Sequence, residues 1–281
     1  MTTPSEDGHP PALSWNLAAD GYGAFLMPWF RRYAADALAM SGIGGSRASL
    51  LDVGAGPGTL SLLAAELGLR VTALDFAVRM LAELRARAVT RGLGRLATVL
   101  GDGQSLPFAS SSFDACFSIF AVVFFPDPLR GLGEMRRVLR PGGVVAITSW
   151  QLLEDTPFLA ELIAATAAEE TSFSFFLEDE LSRASELQEA LARSGFLDVA
   201  VRPTSHTMEC SSLEEALAGI ARSTPPFIML RRKLGEDAWQ PLWTAVQRRL
   251  ATRFGDGPQS LCYPAWLATA TNGSPDRRLS T

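Results

Sequence analysis

Hydrophobic positions along the chain change period several times, and the changes mark its elements. From Leu13 to Met40 apolar residues recur at helical spacing, interrupted near Gly21 and Gly23 and again at Pro28. Short apolar runs then alternate with helical stretches. Ser49 to Val53 reads as a strand ending in glycines, and Thr59 to Leu67 as an Ala/Leu-rich helix. Arg70 to Leu74 is a second strand, and Ala77 to Thr90 an amphipathic helix with arginines on its polar face. Leu96 to Leu100 and Phe113 to Ile119 are further strands. Leu129 to Leu139 is a helix stopped by Pro141-Gly142-Gly143, and Val144 to Trp150 another strand. Strands alternating with helices of this length predict parallel pairing through right-handed crossovers, hence an α/β, doubly wound, mostly parallel sheet.

Beyond Trp150 the rhythm differs. Phe158 to Glu170 and Glu186 to Ser194 read as helices, and Asp198 to Thr207 as a strand. Leu213 to Leu234 and Ala238 to Phe254 are helical, divided by Pro225-Pro226 and Gly235, and Leu261 to Thr269 forms a last strand. This half predicts two antiparallel edge strands with a helical lid inserted between them. The expected organisation is a disordered lead-in (1–12), leading helices over the site (13–45), a ligand-binding core (46–150), and edge strands with the lid (151–281).

Composition narrows the chemistry. In 281 residues, 47% are hydrophobic and 20% charged, which suits a globular protein and excludes disorder as the main state. The net charge of −5 provides no general attraction to nucleic acid or anionic lipid. Two histidines (His9, His206) and three cysteines (Cys116, Cys210, Cys262) are too scattered for a zinc site, so no metal is expected. The sole lysine, Lys233, sits in an Arg-Arg-Lys run, which removes a Walker-type phosphate loop and pyridoxal chemistry. The polar first residues lack a signal-peptide pattern, and the longest apolar stretch, Ala115 to Phe125, is too short to span a bilayer. A cytoplasmic enzyme is the expectation.

The chemistry is concentrated at three strand ends. In Leu51-Asp52-Val53-Gly54-Ala55-Gly56-Pro57-Gly58 a strand runs into glycines and then a helix, so the backbone can turn sharply and approach a ligand. The spacing is GxGxG after an acid, not the GxGxxG of a dinucleotide site. The next strand ends Leu74-Asp75-Phe76. A carboxylate there can accept both hydroxyl protons of a ribose, or can cap the following helix. The third ends Gly101-Asp102-Gly103-Gln104, where an acceptor can take an adenine amino group, or where an ordinary Asp-Gly turn can sit.

Together with SFDACFSIF (112–120), FPDP (125–128) and EMRRVLRPGG (134–143), these segments resemble the class I S-adenosylmethionine-dependent methyltransferases. Within that class they are similar to the small-molecule enzymes of the ubiquinone/menaquinone-biosynthesis type. The resemblance spans about 100 residues. It implies a seven-stranded Rossmann-like sheet with its last strand antiparallel, and S-adenosyl-L-methionine as cofactor. It implies that Gly54, Gly56 and Gly58 approach the methionine part, that Asp75 holds the ribose, that Phe76 and Met80 flank adenine, and that Asp102 binds its amino group. The full expected cofactor set adds Tyr22, Asp52, Ala55, Gly103, Gln104 and Phe120.

One departure stands out. Relatives often carry a histidine pair just before the Pro-Asp-Pro segment, where this chain has Val122-Val123-Phe124-Phe125. The expected acceptor is therefore a small, largely apolar metabolite (cyclic, phenolic or thiol) methylated by direct displacement, with no assigned catalytic base. Trp15, Tyr22 and Trp29 in the leading helix, and Phe173, Phe175 and Phe176 after Trp150, are the aromatics available to cover it, or else to pack helices onto the sheet, the reading that suits most of them other than Tyr22. His206 and Cys116 are expected to be structural. Alternatives are a catalytically silent cofactor-binding partner subunit, or a nucleic-acid or protein methyltransferase. Neither nucleic acid nor a stably inserted membrane is an expected partner.

Overall fold

The computed structural model describes residues 12–45, 48–175 and 181–273. The expected lead-in lies outside these residues except for Ala12, which opens the first helix, and Phe176 also lies outside them.

Seven strands form one sheet: β1 (Ser49–Val53), β2 (Arg70–Asp75), β3 (Leu96–Leu100), β4 (Phe113–Ile119), β5 (Leu139–Trp150), β6 (Leu197–Cys210) and β7 (Gln259–Thr271). Their spatial order is β3-β2-β1-β4-β5-β7-β6. β1 to β5 pair in parallel, and β7 pairs antiparallel with both β5 and β6. The last strand thus lies inside the sheet and β6 forms its edge, which corrects the expectation of two edge strands. The order reverses between β1 and β4, the place where such sheets open a crevice at their carboxyl ends.

β1 is buried at all five positions because both faces of the sheet are covered. Successive side chains alternate between two cores. Leu50 and Phe117 face the core beneath α2 (Met27–Ser41), α6 (Pro157–Glu169) and the helices α8 (Leu213–Ser223), α9 (Pro225–Leu234) and α10 (Glu236–Phe254). Leu51 and Cys116 face the other, under α5 (Pro128–Val138) and α7 (Ala184–Arg193). Cys116 is a fully buried core side chain, as expected.

α5 ends at Val138, and β5 begins at Leu139 rather than at Val144. The Pro-Gly-Gly segment belongs to the strand side of the junction. Gly142 N–H donates to the Asn272 carbonyl (2.6 Å), Asn272 N–H donates to that of Gly143 (2.8 Å), and a register shift opposite Phe113 and Ala115 absorbs the irregularity. These long-range partners are invisible to local propensity.

The leading segment is a single helical path: α1 (Ala12–Gly21), a five-residue π turn (Tyr22–Leu26), and α2. Gly23 does not break it. A β-carbon there would lie 2.3 Å from the Arg87 guanidinium, which is packed against this turn and donates to the Pro57 carbonyl (3.3 Å). Arg87 belongs to α4 (Val78–Thr90), and Asn16 of α1 accepts the Arg79 N–H at the start of that helix (2.8 Å). A side chain from α1 thereby satisfies one orphan amide of α4. On the far side, Glu161 of α6 accepts hydrogen bonds from Arg249 (2.6 Å) and Arg253 of α10, fixing the inserted helices.

Candidate functional site

The glycine turn after β1 is held by its neighbours. Gly54 and Ala55 N–H groups both donate to the Leu74 carbonyl (2.8 and 3.0 Å), and Gly56 N–H donates to Asp75 Oδ2 (2.8 Å). Gly54 and Gly56 have φ of 71° and 53°, the region that favours glycine. They differ in surroundings. A β-carbon on Gly54 would lie 2.2 Å from that of Ala121, whereas one on Gly56 would meet nothing within 4 Å. Gly56 faces open space.

That space is a cleft of about 1230 Å³ at the carboxyl ends of β1, β2 and β4. It is lined by Tyr22, Gly54, Gly56, Asp75, Phe76, Met80, Asp102, Gly103, Gln104 and Phe120, ten of the thirteen residues expected from sequence. Asp52, Ala55 and Gly58 stand behind this wall. Asp52 is buried and accepts from Ser61 Oγ (2.6 Å); a β-carbon on Gly58 would collide with Leu84 and Leu62. Both residues support the turn from behind.

Asp75 is buried and does two things at once. Besides Gly56 it takes the Ala77 N–H on Oδ1 (2.8 Å), just before α4, so the helix-entry role holds together with a place in the cleft wall. A carboxylate has about four acceptor sites and these bonds use two. Burial pushes its pKa up to about 6, against the lowering pull of its backbone donors. Burial likewise raises Asp52 to about 7, opposed by the Ser61 hydroxyl and assisted by the nearby Asp75 charge. Asp102 Oδ1 accepts the Gln104 N–H (2.8 Å), the Asx turn that its Asp-Gly context allows, and Gln104 Oε1 accepts the Asp127 N–H (2.9 Å). Phe76 remains 46% exposed beside them. A large apolar ring left open at the rim of a cleft is the kind of platform on which a flat heterocycle stacks.

Residues 51–147 match the methyltransferase-domain family model. That stretch is similar to the methyltransferase domain. An uncharacterized protein of Mycobacterium tuberculosis is 41% identical over 114 residues, 40% of each chain. A malonyl-[acyl-carrier protein] O-methyltransferase of Salmonella typhimurium is 39% identical over 119 residues, 42% of this chain and 45% of that one. The chain therefore spans less than half the length of these relatives. The crystal structure of the YcgJ protein from Bacillus subtilis has the same fold, with a TM-score of 0.59 at 18% identity, covering 86% of this chain and 99% of that one.

The cofactor of such domains is S-adenosylmethionine, and the residues present fit it. The glycine turn leaves room that a single β-carbon would fill, the Asp75 carboxylate has acceptor capacity to spare, and Phe76 offers an open ring face.

A second cavity of about 980 Å³ adjoins the cleft, and sequence reasoning had named only part of its wall. Tyr22 was singled out for such a wall, Trp15, Trp29 and Phe175 were named as cover or as mere packing, and Phe30, Trp150, Gln151, Thr156 and Tyr263 were not named. Among the described residues, no Asp, Glu, Lys, Arg or His lines it. Its two phenols, Tyr22 and Tyr263, are held protonated far above their usual range, first by burial. Phe120 stands where the cavities meet. It has φ 57° at the end of β4, an uncommon conformation for a bulky residue, and is fixed by its N–H to Thr148 Oγ1 (2.8 Å) and by stacking on Trp150 at 3.6 Å.

His206 lies outside both cavities. Its Nε2 pairs with Asp36 Oδ2 (2.8 Å), its ring meets Tyr33 edge-on, and its backbone N–H donates to the Tyr33 hydroxyl (3.1 Å). Among the described residues there is no group of three or more His, Cys, Asp or Glu placed to hold a metal ion, and no helix long and apolar enough to cross a membrane.

Proposed function

We propose that this protein is an S-adenosylmethionine-dependent methyltransferase that acts on a small, uncharged, largely apolar metabolite by direct methyl displacement. The observation that carries this reading is the pair of joined cavities. One has backbone and carboxylate acceptors suited to the cofactor, the other is apolar and free of charge, and they share a wall. When bound, S-adenosylmethionine supplies an electrophilic methyl group on a sulfonium. The rest of the work falls to this chain. Asp75 and the glycine turn orient one side of the shared boundary, and the aromatic chamber holds the acceptor on the other, without water. Tyr22 and Tyr263 keep their protons and so donate hydrogen bonds rather than remove protons. Among the described residues the chamber supplies no base, which favours an acceptor that ionises readily or is already nucleophilic, such as an acidic phenol, a thiol or an enolised carbon.

The malonyl acceptor in the name of the Salmonella relative bears a carboxylate. Among the described residues no cation lines this chamber to hold one, which supports an uncharged acceptor instead. Two of the arginines on α9 and α10 pair with carboxylates, Arg231 with Glu236 and Arg249 with Glu161, which does not favour a nucleic-acid surface there. We assign the protein to the cytoplasm by default.

Calorimetry with S-adenosylmethionine, followed by turnover with a panel of phenols, quinols, thiols and amines, tests the reading. Binding plus turnover of an uncharged member is expected. Binding without any turnover would favour a silent partner subunit, and NADH binding in place of S-adenosylmethionine would overturn the assignment.

A further inference from the structure

Four residues line both cavities, and all four are aromatic: Trp15, Tyr22, Phe120 and Phe124. The Trp15 ring meets Tyr22 edge-on at 6.3 Å and Phe124 at 5.4 Å. All three are only half-buried, so ring surface remains open toward the cavities. The transferred methyl must cross from one cavity to the other. On that reading the sulfur that carries the methyl would be held near this aromatic boundary, which is the wall the two cavities share.

A sulfonium is a cation, and moving it out of water is unfavourable unless something replaces its hydration. Aromatic ring faces carry negative potential and attract such soft cations, as they do quaternary ammonium groups. An aliphatic wall of equal volume would favour the neutral thioether. We propose that Trp15, Tyr22 and Phe124 form an aromatic collar that recognises the sulfonium charge and so distinguishes S-adenosylmethionine from S-adenosylhomocysteine. The inference rests on the cofactor reading above. Transfer breaks the sulfur–methyl bond, the bond's electron pair stays on sulfur, and the positive charge leaves with the methyl group to the acceptor. The remaining thioether is neutral, so the collar loses its hold on the product and favours exchange. The Asp75 carboxylate lies within electrostatic range of the Tyr22 hydroxyl and is untouched by changes to the rings.

The experiment is calorimetry of both ligands against the parent protein and three variants, with circular dichroism to verify folding. Phe124→Leu and Trp15→Leu keep apolar volume and lose the ring face. Each is expected to weaken S-adenosylmethionine roughly three- to tenfold relative to S-adenosylhomocysteine. Tyr22→Phe retains the ring and should leave the ratio of the two dissociation constants within about twofold. Equal weakening of both ligands by the leucine variants overturns the collar, as does a shift of the ratio by Tyr22→Phe as large as theirs, which would assign the discrimination to the hydroxyl dipole. If the parent binds neither ligand, it is the cofactor reading itself that fails.

Discussion

The two cavities are neighbours built by opposite means. The cleft is shaped by backbone, with Gly54, Gly56 and Asp102 in short loops that follow strands and Asp75 at the last position of β2. The chamber is shaped by side chains drawn from Trp15 to Tyr263, none of which is a motif in itself. A backbone-shaped site tolerates almost no change at its few critical positions, because geometry is set by φ, ψ and hydrogen bonds. A side-chain-shaped site spreads its contribution over many contacts and can be re-cut by one substitution without loss of its neighbour.

The largest effect should come from Gly56→Val. Its β-branched side chain would project into the cofactor space that glycine leaves open. Loss of more than about 100-fold in cofactor affinity is expected, with the circular dichroism spectrum retained and modest destabilisation from the left-handed backbone, about 1–2 kcal/mol. An unfolded Gly56→Val protein would instead make this position structural and remove the contrast with Gly54, where added volume meets Ala121.

Asp75→Ala should follow, with about 2–4 kcal/mol less cofactor binding energy, since a charged two-point acceptor is removed. Calorimetry showing parental affinity would reduce Asp75 to its helix-entry bond with Ala77. If the ionised carboxylate is what holds the ribose, then with burial pushing its pKa up to about 6 the parental affinity should fall as pH drops below 6, and this dependence should vanish in Asp75→Asn.

On the chamber side, Leu159→Trp places a large ring in the acceptor space. Turnover should fall roughly tenfold or more while cofactor affinity stays within about twofold. Parallel loss of both would show that the two cavities are one functional unit.

A smaller effect separates the supporting carboxylates from the ligand contacts. Asp52 has a native pKa near 7, above the ordinary value of 3.8, so the folded state holds a proton that the unfolded state has released. Stability of the ligand-free protein should therefore decline as pH rises from about 5 to about 7, by on the order of 2–4 kcal/mol, part of it from Asp75. The carboxylates whose pKa is lowered by arginine partners, such as Glu66 and Glu134, act on the acid side of this window. Asp52→Asn retains an acceptor for Ser61 and should flatten the slope in denaturant titrations. An unchanged slope would mean that Asp52 does not hold its proton.

The smallest expected change is His206→Ala. The His206–Asp36 pair is partly exposed and lies outside both cavities, so turnover should stay within about threefold of the parent, whereas a general base contributes 10² to 10⁴-fold. A hundredfold loss at unchanged cofactor affinity would make His206 the base and the chamber something other than base-free.

How far the sequence could be read follows the same division. Gly54, Asp75 and Asp102 were legible because each sits immediately after a short apolar run, and a strand end followed by glycine or acid is a local pattern. Asp52 and Gly58 were legible as motif members but not as supporting ones, since only packing against Ser61, Leu62 and Leu84 tells wall from buttress. Gly21 and Gly23 were read as breaks because local propensity penalises glycine in helices, yet close approach of Arg222 and Arg87 is what requires them.

By itself, then, the sequence determined the alternating strands and helices, the carboxyl-end loops, and the absence of a lysine or histidine cluster for competing chemistries. These are properties of neighbouring residues, and the backbone acts on them locally. The tertiary structure alone decided that β7 enters the sheet between β5 and β6, that Asn16 and Arg87 fasten the leading helix over the glycine turn, and that Phe120, Trp150 and Tyr263 close one chamber. Those outcomes depend on contacts between residues about a hundred or more positions apart or between separate elements, where burial of apolar surface selects the partner and no short-range pattern records the choice.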